Sequence, residues 1–238
     1  MYEKIIGQTL VKMTKLLLAT AGPLQYLLNT PGITHVHCLE QAYIALKHDG
    51  KEDVAKLFKT HHSTLTKGLY WADRGWKNVN HLYNHPDKQG IINWPGATAE
   101  CQYYFNRAFA FFPKNVEKSM FFLGAALHLV QDMCVPHHSV GNVFDGHKEF
   151  ETWATQNWVK FPATNGMYLP FSHPAQWIEH NANVSGPLYP LVSQNEGCSE
   201  ESYERASEIL IPLTIATSAG FLDFARNRFE NLTSQKPT

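Results

Sequence analysis

His128 and Asp132 stand four residues apart, and His147 and Glu151 repeat that spacing further along the chain. On a helix, side chains at i and i+4 stack on one face with Cβ atoms about 5–6 Å apart, so each pair can grip one ion. Between the pairs, Pro136 stops the first helix and turns the chain, which lets His138 point back toward the second pair. Five donors thus fall within 24 residues, as imidazole nitrogens and carboxylate oxygens, the mixture that zinc accepts. Taken singly, either pair also reads as a hydrogen-bonded helix surface. Phe121 to Leu127, however, form an apolar run leading into His128, which predicts a buried helix. A carboxylate there is costly unless a cation or several donors satisfy it. The tandem His137-His138 leaves open which imidazole takes part.

The elements that must position these side chains read as helices. Apolar residues recur at helical spacing over 3–18, 35–48, 53–70, 97–112, 116–133, about 147–158 and 200–231. Asp49-Gly50, Pro113 and Pro136 punctuate them, and Pro212 predicts an interruption of the last. Residues 74–96 and 160–198 are rich in Gly, Asn and Pro, the first reading as a long ordered loop and the second carrying a short helix from Pro174. No run shows the alternation of a strand. The expectation is all-α: one compact multi-helix domain over residues 22–238, with no linker marking a boundary.

Composition narrows the function. The chain has 238 residues, 44% hydrophobic and 17% charged, which excludes intrinsic disorder. Lys+Arg number 20 against Asp+Glu 21, a formal charge of −1, so no overall basic excess drives nucleic-acid or anionic-membrane binding. No apolar run approaches the ~18 residues of a bilayer span. The 13 histidines are the unusual feature; His37, His48, His61, His62, His173 and His180 read as surface or satisfied core groups. Four cysteines, with no CxxC pair, read as free buried thiols. Residues 1–21 are either a first helix or a short signal segment, since Leu16-Leu17-Leu18 precedes Ala19-Thr20-Ala21.

The pattern H-x3-D-x3-P-x-H followed by H-x3-E, carried by His128, Asp132, Pro136, His138, His147 and Glu151, resembles the zinc-dependent phospholipase C family, which includes clostridial alpha-toxins. The related S1/P1-type nucleases share its fold. The likeness extends to Thr34-His35 with Ala42, to Gly68 through Ala72-Asp73, to His81 through Pro86-Asp87, and to Pro174 through Trp177-Ile178. It covers roughly residues 30–225.

The resemblance implies a phospholipase C/P1 nuclease-type fold and up to three Zn2+ per chain. His81, His128 and Asp73 would bind one ion, with Asp132 bridging to a second held by His35. His138, His147 and Glu151 would bind the third. His85 is the alternative to His81. In the family a leading Trp completes the second site. No Trp precedes Trp71 here, but cleavage after Ala21 would leave the Gly22 amine at the family's spacing from His35. Gln131 and Cys134 depart from the family pattern, and the loop from Asp73 to His81 is shorter than in phosphatidylcholine-cleaving members. A C-terminal lipid-binding domain of the toxin kind is not expected.

The expected reaction is hydrolysis of a glycerophospholipid at a membrane surface to diacylglycerol and a phosphorylated head group. Zinc lowers the pKa of bound water toward ~7 and stabilises the entering and leaving oxygens. Asp73 would orient or deprotonate the water, or serve as a ligand only. Tyr70, Trp71, Trp76 and Tyr83 read as packing around the site or as a cage for a quaternary ammonium. The alternatives are an S1/P1-like single-strand nuclease and a non-catalytic zinc-binding helical protein. No protein partner is implied. The family relation implies export, to the outside or the cell envelope; without a signal segment the chain would be cytoplasmic.

Overall fold

The computed structural model describes residues 32–74, 80–83 and 96–234. Among these there are nine α-helices and no strand: α1 Ile33–His48, α2 Glu52–Thr60, α3 His62–Ala72, α4 Ala97–Phe111, α5 Val116–Asp132, α6 Pro136–Val140, α7 His147–Asn157, α8 Ala175–Ser185 and α9 Glu200–Ser234. The expectation for residues 3–18, for Gly22 and for most of the 74–96 loop, His85 and Trp76 included, lies outside the described residues.

α5 is the axis of the molecule. Asn115 starts it, its side chain accepting from the Lys118 N–H at 2.9 Å. From Leu123 to Asp132 every residue is buried, so this helix is apolar all round because it has neighbours all round. α3 and α4 pack along it, and α9 crosses it while running along α1. The α3–α5 crossing is unusually close for a compositional reason. A Cβ on Gly68 would fall under 3.0 Å from the Phe121 carbonyl oxygen, and one on Gly124 under 3.0 Å from that of Leu65. Two glycines facing each other's helix thus bring backbone against backbone. This approach holds the end of α3, where Asp73 sits, against the half of α5 that carries His128.

Two expectations are corrected. The helix predicted over 53–70 is two helices broken at His61, whose N–H bonds back to Phe58 O at 3.1 Å. α2 buries Val54, Ala55 and Phe58, with α1 and α9 among its neighbours. α3 buries Leu65, Gly68, Leu69 and Ala72, chiefly on α5. The apolar spacing runs on through the break, so periodicity alone could not reveal it. Conversely, Pro212 does not interrupt the last helix but lies inside α9. The carbonyl its missing N–H would have bonded belongs to Glu208, an exposed residue, and a solvent-facing carbonyl can bond water instead. Residues on both sides of Pro212 are buried, and that packing keeps the helix continuous. By length and composition α9 could cross a membrane, but 72% of its most apolar window is buried in the fold, as in the core helix of a folded domain.

Aromatic packing accounts for most remaining bulky residues. Phe105 meets Phe221, Phe224 and Phe229 across the α4–α9 contact. Trp71 packs on Tyr104 at 5.6 Å and on Phe121 at 5.2 Å, and Tyr83 is buried. Tyr83 belongs to the core, and Trp71, partly buried, packs against that core. The cysteines Cys38, Cys101 and Cys134 are buried free thiols, and Cys198 is partly exposed and free.

Candidate metal centre

Six segments deliver eight donors to one end of α5. His35 comes from the first turn of α1 and Asp73 from the residue just beyond α3. His81 lies on a short 3-10 turn fastened on both sides: Leu82 O accepts from Ala97 N–H at 3.1 Å, and Tyr83 N–H donates to His138 O at 3.0 Å. His128 and Asp132 occupy the last turns of α5. Pro136 sits in the first turn of α6, where its fixed φ and missing N–H suit a helix start; His138 is two residues on. His147 opens α7 and Glu151 follows one turn later. Gly146 precedes His147 at φ 84°, with Val192 O and Gln194 Cγ close above it. A side chain there would be strained and crowded, so glycine lets α7 start at this point.

Donor atoms gather into three groups, each within 4.8 Å: Asp73 with His81 and His128, His35 with His128 and Asp132, and His138 with His147 and Glu151. Asp132 Oδ2 lies 2.8 Å from His81 Nδ1 and 3.2 Å from His128 Nε2, while Oδ1 lies 3.3 Å from His35 Nε2. His128 Nε2 is 3.3 Å from His81 Nδ1. In the third group, His147 Nε2 stands 2.9 Å from Glu151 Oε1 and 3.0 Å from His138 Nε2, with His138 and Glu151 3.8 Å apart. The His81 and His138 rings, 6.3 Å between centroids, join the third group to the others.

These distances test the fit to a metal. Tetrahedral zinc with bonds of ~2.0–2.1 Å places its ligand atoms about 3.3 Å from each other, and the observed separations scatter around that value. The chemistry also fits, since nitrogens and carboxylate oxygens that point lone pairs at one another repel unless a proton or a cation lies between them. His128 belongs to two of the groups, a sharing that the resemblance had assigned to Asp132 alone.

Electrostatics favour a charged pocket with neutral imidazoles beside it. Burial would raise the Asp132 carboxyl, but the charges of His128 and His138 together with hydrogen bonds from His128 and His81 hold it well below its ordinary value. Burial would likewise raise Glu151, but the charges and hydrogen bonds of His147 and His138 together hold it low. Burial pushes His35 and His81 down, so both stay neutral and able to coordinate. Burial opposes charge on His128 and His147 too, but the carboxylates around them together raise both, Asp132 leading for His128 and Glu151 for His147, with Asp73 adding to each.

The structure separates the tandem histidines. His138 joins the third group, whereas His137 is fully buried and its Nε2–H donates to the Asp145 carbonyl at 2.9 Å. Two features escaped the sequence reading. The Asp145 carboxylate accepts from Tyr189 Oη, Ser193 Oγ and Asn195 N–H and so pins the loop between His138 and His147; its partners lie more than forty residues away, and no local signal marks them. Gln131, noted only as a departure from a pattern, contacts His35 Nδ1 at 2.8 Å.

Comparison with known proteins gives the family. Residues 34–184 match the family described as zinc dependent phospholipase C, and the chain belongs to that family. Among solved structures, it is similar to the alpha toxin of Clostridium absonum, at 20% identity and a TM-score of 0.71 over 85% of this chain and 64% of that one. It is likewise similar to the alpha-toxin of an avian Clostridium perfringens strain, at 17% identity and a TM-score of 0.68 over the same shares. At these identities the likeness shows the fold, and the chain spans 64% of the length of those toxins. The search of curated proteins returned no match.

Proposed function

We propose that this chain is a zinc-dependent phospholipase C, hydrolysing glycerophospholipids to diacylglycerol and a phosphorylated head group. The observation that carries the reading is three donor groups in a member of a zinc-dependent family, two of them sharing His128. In this proposal Asp73, His81 and His128 hold one ion, His35 and Asp132 the second with Asp132 bridging, and His138, His147 and Glu151 the third. If residues 1–21 are removed, the Gly22 amine adds to the second site. The catalytic domain is residues 22–238, and the place of action is outside the cell or in its envelope.

Bound zinc supplies a water of lowered pKa and positive charge for the phosphate oxygens. The protein's own residues do the rest. Asp73 is exposed at the edge of the cluster, placed to orient the attacking water and take its proton. The carboxylates of Asp132 and Glu151 offset part of the ions' charge and leave the pocket positive toward the phosphate. Phe144 supports a lipid surface as the substrate's setting. It is the most exposed large apolar side chain among the described residues, at 88%, and stands three residues before His147 on the loop pinned by Asp145.

Hydrolysis of phosphatidylcholine vesicles and of single-stranded DNA, each before and after chelation, tests the proposal. The expected result is chelator-sensitive release of diacylglycerol with no cleavage of DNA. Cleavage of DNA alone would make the chain a nuclease of the same fold, and no turnover with bound zinc would make it a binding protein.

A further inference from the structure

The geometry points to Gln131 as a positioning residue that fixes which nitrogen of His35 faces the second metal site. The inference rests on the zinc reading above but not on the choice of substrate.

Gln131 is 2% exposed and sits on α5 beside Asp132. Its Oε1 lies 2.8 Å from His35 Nδ1. Its Nε2 donates to Ser218 Oγ on α9 at 3.0 Å and to the backbone carbonyl of His35 at 3.4 Å. A carbonyl oxygen can only accept, so the amide nitrogen must occupy that side and the amide oxygen must face the ring. An amide oxygen also only accepts. His35 Nδ1 therefore carries a hydrogen, and in the neutral imidazole Nε2 is left bare. That bare nitrogen points at Asp132 Oδ1, 3.3 Å away. Two lone-pair-bearing atoms are thus aimed at one point before any ion arrives.

The arrangement is particular to this histidine. The outward ring nitrogens of His81, His128 and His138 are buried without a hydrogen-bond partner among the described residues. Metal-binding histidines are ordinarily oriented by a partner on the second nitrogen, and losing it typically weakens metal binding 10–100-fold. Here the orienting group bonds to a hydroxyl on α9, so the last helix takes part in setting a nitrogen on the first described one. The second site has the fewest donors in the described chain that it does not share with another group. A preset His35 matters most there.

The test uses Gln131→Leu, Gln131→Glu and Ser218→Ala in the full chain, with melting curves to check folding. Long-range 15N–1H spectra of the metal-free proteins read the tautomer directly. His35 is expected to carry its hydrogen on Nδ1 in the parent and in Q131E, and to become a mixture in Q131L. Zinc competition against a chromophoric chelator should show one ion bound about 10–100-fold more weakly in Q131L, near-parent binding in Q131E, and an intermediate loss in S218A. The other ions should be unaffected. An unchanged tautomer or unchanged zinc affinity in a folded Q131L overturns the proposal, as does a Q131E that fails to restore binding or a parent chain that takes up no ion through His35. None of these readouts requires phospholipid hydrolysis, so a failure of the substrate reading would be seen separately.

Discussion

At the scale of single residues, what sets the site apart is an excess of acceptors facing inward. Asp132 meets ring nitrogens of His35, His81 and His128, and too few protons are available to satisfy every lone pair. Asp73 is the exposed member of this set and the one with a second role. Asp73→Asn is expected to lower phosphodiester turnover by about 100-fold, the lower range for loss of a general base, while zinc per chain by elemental analysis stays near the parent value. A parallel fall in both would leave Asp73 as a ligand only. Away from the metal site, Asp49 anchors the 165–168 loop. Burial would raise its carboxyl, but bonds from Gly166 N–H, Tyr168 Oη and the Asn165 amide bring it down to about 2. The unfolded chain binds the proton at about 3.9, so this anchor stabilises fully above that pH and is lost as pH falls toward 2. Urea unfolding of the metal-free protein between pH 5 and 2 should show a shallower loss of stability in Asp49→Asn than in the parent.

At the scale of elements, the α3–α5 crossing sets the distance between Asp73 and His128. Gly124→Ala places a methyl group against the Leu65 backbone, and neither helix can yield without moving the other. Overpacking of this kind costs ~1–3 kcal/mol; the upper end is expected because backbone, not a rotatable side chain, is in the way. Chemical denaturation measures that loss. Zinc affinity should fall as well, since the Asp73 group spans the crossing. A Gly124→Ala protein of parent stability would mean that the helices have slack the packing does not show. Pro212 makes the complementary point. A helix breaker by local rule survives within α9 because the contacts on either side hold the helix together and its orphaned carbonyl faces solvent.

At the scale of the molecule, α1 and α7 come together across a long stretch of sequence, Thr34 Oγ1 meeting Thr155 Oγ1, 121 positions further on, at 2.8 Å. The loop from Gly141 to Gly146 is held from inside by Asp145 and yet exposes Phe144. Burying a phenylalanine side chain is worth ~1.5–3 kcal/mol. Phe144→Ser is therefore expected to reduce activity on phosphatidylcholine vesicles about tenfold or more, with little change on a water-soluble short-chain phospholipid. Equal losses on both substrates would place Phe144 in the chemistry rather than at the lipid surface.

Much of this was legible in the sequence because it is local. The i,i+4 pairs, the proline that turns the chain before His138 and the apolar run ahead of His128 depend only on helical geometry and pointed to five of the candidate donors. His35, Asp73 and His81 entered only through the family resemblance, and the all-α class came from apolar periodicity along the chain. The break at His61, the continuity through Pro212, the choice of His138 over His137, the sharing of His128 between two groups and the hold of Gln131 on His35 were not legible. Each depends on which residues from distant segments come within 3–4 Å, and spacing along a chain carries no information about that distance. Only the packing of α1, α3, α6 and α9 about α5 decided it.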